Sequence, residues 1–178
     1  MENILLVGQS YGAAVATLMA ANNPGKVAGL VLLSSFLGEL GPTARWLVDM
    51  GQRMTTLIPR DLRHAILEVT GQASQLPRMR EALGRLTIPV HVIHGDKDDF
   101  APTETVERLL EQTPTRRSIR FERVAGADHF LNRGPTEQLQ ACLEACIRQS
   151  KPRRIWLRAP RLPWPRPSGA GLEERAGA

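Results

Sequence analysis

The sequence predicts an α/β fold, with one parallel sheet of about four strands and helices packed against it. Three observations predict it. Four short runs read as strands: Ile4 to Val7, Val27 to Ser34, Val90 to His94 and Ile119 to Val124. The first three are apolar nearly throughout, the pattern of strands buried on both faces of a parallel sheet. Segments with apolar residues at helical spacing separate the runs, giving strand, helix, strand, insertion, strand, helix, strand, helix.

Each element has its own warrant. Ile4 to Val7 leads straight into Gly8. From Ser10 to Asn22, Tyr11, Ala14, Val15, Leu18 and Ala21 recur near helical spacing, and Asn22, Asn23, Pro24 and Gly25 stop the helix. The segment from Phe36 to about Leu86 carries Trp46, Leu47, Met50, Met54 and Leu57, then Leu62, Ile66, Leu67 and Val69. Several short amphipathic helices fit it, broken at Pro42, Pro59 and Pro77. Pro89 introduces the third strand. Thr103 to Gln112 reads as a helix capped by Thr103, with Val106, Leu109 and Leu110 facing inward. Pro135 to Arg148 reads as a last amphipathic helix. Cys142 and Cys146 lie four apart on one face of it, as small apolar core residues. Two cysteines give no disulfide framework and no metal site, and the expected location is cytoplasmic.

Charge separates the body from the tail. Seven of the 23 basic residues and two of the 18 acidic residues lie from Lys151 onward, so the net +5 belongs to the tail. The first 150 residues are balanced, which argues against nucleic acid as a partner of the folded body. Residues 151–178 hold five of the 13 prolines, with arginine interleaved, and read as an extended or disordered end. Binding of nucleic acid, an anionic surface or a Pro-rich-motif receptor by this tail is the alternative to a solvated end. No apolar run reaches the roughly 20 residues of a membrane span, and the first residues lack the basic region and cleavage site of a signal peptide.

Gly8-Gln9-Ser10-Tyr11-Gly12 joins the first strand to the first helix. A serine on so sharp a turn is held in a strained backbone conformation, with its hydroxyl above the carboxyl edge of the sheet. Side chains two residues before and after it would collide, which calls for Gly8 and Gly12. The Tyr11 backbone N–H lies at the helix N-terminus, where developing negative charge is favoured.

Over roughly residues 2 to 148 the chain resembles the α/β-hydrolase fold superfamily, in its serine esterase and lipase branch. Three motifs carry the resemblance: Gly8 to Gly12, VIHGDKDDFAP at 92–102 and GADHF at 126–130. They imply Ser10 as nucleophile, Asp98 as acid and His129 as base, in the family's chain order. Asp96 is the main rival of Asp98, and Asp99 crowds the same turn. His94 reads as part of a structural His-Gly step, and His64 and His91 have no supporting context.

The resemblance implies covalent acyl transfer on an ester or related bond of a small, apolar acyl substrate, with Tyr11 N–H in the oxyanion hole. It implies neither a metal nor an organic cofactor. A serine at the elbow sets the chain apart from relatives that use aspartate there, the haloalkane dehalogenases and epoxide hydrolases. Residues 1–35 and 87–150 correspond to the hydrolase core and 36–86 to a helical cap. The family places four strands and two helices ahead of the elbow strand, so the resemblance implies an N-terminally truncated hydrolase. The alternative is a non-catalytic remnant of the fold that serves as a binding or interaction module.

Overall fold

A computed structural model gives the fold, and the structure describes residues 4–53, 59–131 and 136–150. The 151–178 tail, Met54, Leu57 and the side chains of Leu62, Cys142 and Cys146 lie outside the described residues.

Four strands, β1 (Ile4–Gln9), β2 (Val27–Leu33), β3 (Val90–Gly95) and β4 (Ile119–Val124), form one sheet in the order β1-β2-β3-β4. All three pairings are parallel, with Leu6 beside Leu30, Leu30 beside Val90 and Val90 beside Ile119. Right-handed crossovers that step in one direction put their helices on one face of the sheet. That face holds the main core. Ala13, Ala16 and Ala20 of α1 (Tyr11–Asn22) pack there, with Met79 and Leu83 of α3 (Arg60–Arg85) and Val106 and Leu110 of α4 (Thr103–Glu111). On the opposite face, Leu143 of α5 (Thr136–Ser150) packs with Val31, Ile93 and Val124. The remaining helix, α2 (Pro42–Arg53), contributes Ala44 to a third, smaller cluster with Phe36 and Ala101.

Two local expectations change, at Pro77 and Thr103, while the breaks at Pro42 and Pro59 hold. Pro77 does not break a helix: α3 runs through it for 26 residues. An interior proline costs about 3 kcal/mol. Burying Met79 and Leu83, just beyond it, contributes about 1.5–3 kcal/mol each and offsets that cost. Pro59 and Pro42 mark helix starts, Pro42 as the first residue of α2. Thr103 is not a cap. Pro102 holds the cap position of α4, and the buried Thr103 hydroxyl donates instead to the Gly95 carbonyl at 2.7 Å, tying the helix to the end of β3.

Among the described residues no strand pairs with the outer edge of β1, where Ile4 and Val7 are exposed. An apolar open edge templates pairing between molecules. Val7→Lys is therefore expected to reduce concentration-dependent light scattering and leave the circular dichroism spectrum unchanged. Equal scattering by both proteins would show that the edge does not drive association.

Candidate active site

Strand ends build the site. The hydrogen-bond ladder runs past the strands themselves: Ser10 N–H donates to Leu33 O at 2.9 Å, Ser34 N–H to Ile93 O at 3.0 Å and Asp96 N–H to Val124 O at 3.2 Å. The loops after β1, β3 and β4 are thus held side by side at the carboxyl edge of the sheet. Ser10, Ser34 and Leu131 are the non-glycine residues with positive φ among the described residues, and all three lie at this edge. Ser10 has φ 53°. Such a conformation costs on the order of 1–3 kcal/mol and persists only where the surroundings impose it.

What imposes it is the contact between β1 and the start of α1. A Cβ on Gly8 would overlap the Gly12 carbonyl oxygen and lie 2.8 Å from Ala13 Cα. Gly8 is therefore required, as its place in the turn predicts. Gly12 is not: a Cβ there meets nothing within 4 Å. The crowding is one-sided because the Gly12 backbone, not its missing side chain, fills the space above Gly8.

The three predicted side chains meet. His129 Nδ1 is 2.8 Å from Asp98 Oδ2, and His129 Nε2 is 2.9 Å from Ser10 Oγ. A carboxylate only accepts, so Nδ1 carries the proton, and Nε2 accepts from the serine hydroxyl. Both Asp98 and His129 are buried. The rival carboxylates have other partners. Asp96 accepts from Gly126 N–H at 2.7 Å, and Asp99 accepts from the Thr43 hydroxyl at 2.6 Å. Asp128 turns to Phe130 N–H, as expected of a sequence neighbour of His129. His64 is exposed, and His91 is buried within β3, where burial pushes its pKa down.

Burial alone would push the Asp98 carboxyl up. Hydrogen bonds from His129, from His94 and from Ala101 N–H outweigh it and hold the group at about 2, against an ordinary 3.8. Phe100 N–H and Ala101 N–H both donate to Oδ1, at 3.0 and 2.8 Å.

His94 has the buried, structural place its His-Gly step suggests, with one addition. It is fully buried, its Nε2 lies 2.8 Å from Ala101 O and 3.1 Å from Asp98 Oδ2, and its Nδ1 has no hydrogen-bond partner among the described residues. It thus supports the carboxylate directly. The signal was its place four residues before Asp98 in the same motif. Phe36 and Phe100, also passed over, have ring centroids 4.9 Å from that of His129.

Gly95 sets the approach of the two loops. A Cβ there would overlap Ala127 O and stand 2.7 Å from Asp128 O. A cavity of about 530 Å³ opens between them, lined by Lys97, Asp99, Phe100, Gly126, Asp128, His129 and Phe130. Its wall mixes charge with aromatic rings, and Trp46 borders a separate groove with Asp49, Met50 and Arg53. Among the described residues no group of three His, Cys, Asp or Glu side chains is placed to hold a metal ion, and no helix is long and apolar enough to cross a membrane.

The chain has the α/β-hydrolase fold: its sheet is parallel throughout, and a family profile described as alpha/beta hydrolase fold matches residues 1–80. Solved structures agree. The chain is similar to a monoacylglycerol lipase of Paleococcus ferrophilus at 18% identity and TM-score 0.58, over 84% of this chain and 68% of that one. It is similar to the 2-hydroxy-6-oxo-6-phenylhexa-2,4-dienoate hydrolase of Rhodococcus sp. strain RHA1 at 17% identity and TM-score 0.63, over 83% and 64%. A thermophilic esterase of Thermogutta terrifontis matches at 22% identity and TM-score 0.55, over 84% and 66%. The chain thus spans about two thirds of the length of these proteins. No curated protein matches it.

Proposed function

We propose that the chain carries the catalytic residues of a serine hydrolase that cleaves an ester or related acyl bond of a small molecule. The observation that carries this is the continuous hydrogen-bond chain from Ser10 Oγ through His129 to Asp98, with Ser10 on a strained turn. His129 Nε2 takes the Ser10 proton as Oγ attacks the carbonyl carbon. The oxyanion is met by the Tyr11 N–H, which as a first-turn donor of α1 has no intrahelical acceptor. Collapse of the adduct breaks the acyl bond, and the leaving group departs with the proton from His129. Water, deprotonated by the same nitrogen, then releases the acid and restores Ser10. Asp98 stays ionised throughout and stabilises the imidazolium. In this scheme α2 and the first turns of α3 form a cap over the carboxyl edge, and the protein works in the cytoplasm.

A fluorophosphonate probe tests the proposal because it reports nucleophile activation without a known substrate. The wild-type chain is expected to be labelled at Ser10 and Ser10→Ala to remain unlabelled. A folded wild-type chain that takes no label, or a label that survives Ser10→Ala, sinks it.

A further inference from the structure

Only four phenylalanines occur in the chain, and aromatic residues make up 4% of it. The main core uses none of them as a buried member; Leu, Val, Ala, Ile and Met fill it. Three of the four gather instead around one imidazole. Phe36, from the loop after β2, has its ring centroid 4.9 Å from that of His129 at an interplanar angle of 45°. Phe100, from the loop after β3, stacks at 4.9 Å and 27°. Phe130 meets the same ring edge-on at 5.5 Å and 81°. Phe36 is buried and Phe130 is exposed.

Packing alone does not require rings here. Leucine fills such positions as well, and leaving Phe130 exposed forgoes the hydrophobic return of a large side chain. The imidazole does require something. Its Nε2 partner changes during acyl transfer, because Ser10 Oγ loses its proton and becomes acylated. At that point only the Nδ1 bond to Asp98 orients the ring, and one hydrogen bond leaves the ring free to twist about it. Flat neighbours resist that twist. Their faces also attract the positive charge that the ring acquires when it takes the serine proton, an attraction that operates within about 6 Å of a ring centroid.

We infer that Phe100, backed by Phe36, is an aromatic clamp on His129: a positioning residue that keeps the imidazole in the plane serving Asp98 and Ser10 through the catalytic cycle. Phe100 is well tied for this task. Its N–H donates to Asp98 Oδ1 at 3.0 Å, and its carbonyl accepts from Gly41 N–H at 2.6 Å. Its side chain packs against the buried cluster of Phe36, Ala44 and Ala101. One residue therefore holds the acid through its backbone and the base through its ring.

The inference rests on the hydrolase proposal, and the experiment separates the two. Wild type, Phe100→Leu and Phe100→Tyr are compared by turnover of p-nitrophenyl acetate and by the low-field proton resonance of the His129–Asp98 hydrogen bond. Phe100→Leu is expected to lower kcat about 5- to 10-fold with KM within about 2-fold, and to broaden the low-field resonance. Phe100→Tyr, which keeps the ring, is expected to stay within about 2-fold of wild type. Should Phe100→Leu fail to fold by circular dichroism, Phe100→Met is the aliphatic variant read in its place. An aliphatic variant with wild-type kcat and a sharp resonance overturns the clamp, as does a Tyr variant that falls as far as Leu. A change in KM alone also overturns it, because that would make Phe100 a substrate contact. Failure of wild-type labelling by fluorophosphonate would instead count against the hydrolase proposal. The resonance still reads the clamp in that case, since it needs no turnover.

Discussion

Asp98→Asn is expected to lower turnover of an activated ester by about 10⁴-fold and to destabilise the fold at neutral pH by about 2 kcal/mol. The kinetic effect follows from geometry. Asp98 Oδ2 is 2.8 Å from His129 Nδ1, so the carboxylate selects the tautomer that leaves Nε2 free to accept from Ser10. An amide offers His129 a donor, favours the opposite tautomer and turns Nε2 into a group that cannot take the serine proton. The stability effect follows from the carboxyl being held at about 2 rather than 3.8. A carboxylate whose folded pKa is depressed stabilises the fold above its ordinary pKa, and that contribution is lost as pH falls through the folded value. Wild type should therefore melt about 5 °C above Asp98→Asn at pH 7, with the gap closing between about pH 4 and pH 2. Thermal melts of both proteins across that range check it. A gap that persists unchanged at pH 2 would mean that packing around the carboxylate, rather than its charge, sets the difference.

The site was legible where chemistry and chain geometry coincide, and obscure where packing decides. Ser10, Asp98 and His129 sit in motifs whose spacing reflects strand ends, so their approach to one another follows from a parallel sheet. The resemblance points to Asp98, but the residues alone leave Asp96 and Asp99 as rivals, because three carboxylates within four positions differ only in where the turn aims them. His94 looked like scaffold because a histidine at a strand end has no signature of the carboxylate it meets. The phenylalanines around His129 come from three loops, and no periodicity along the chain foretells that convergence. The same limit governs α3. Proline at position 77 reads locally as a break, yet the residues beyond it bury against α1 and the sheet, and tertiary packing outweighs the local cost. Strand limits were the most legible feature. Ile119 to Val124 is the same in sequence and structure although Arg120, Glu122 and Arg123 are charged, because its buried ends, Ile119 and Val124, fix where the strand enters and leaves the sheet.

Gly8→Ala is expected to lower the melting temperature on the order of 10 °C and the rate of fluorophosphonate labelling about 10²-fold. The added methyl would overlap the Gly12 carbonyl oxygen and stand 2.7 Å from Gly12 C and 2.8 Å from Ala13 Cα. All three are backbone atoms in the first turn of α1, so no rotamer change relieves the contact. Strand and helix must separate instead, and Ser10 lies on the segment between them. Shifts of about an ångström at a nucleophile suffice for a 10²-fold loss, which is why rate and stability should fall together. Gly12→Ala is the internal control. Its methyl meets nothing within 4 Å, and alanine favours a helix over glycine by roughly 0.5–1 kcal/mol. That variant should melt at or slightly above wild type and label at the wild-type rate. If Gly12→Ala were as damaging as Gly8→Ala, the constraint would lie in substrate access across α1 rather than in closure of the turn. The strained φ of Ser10 would then need another cause than the one-sided contact between Gly8 and the helix backbone.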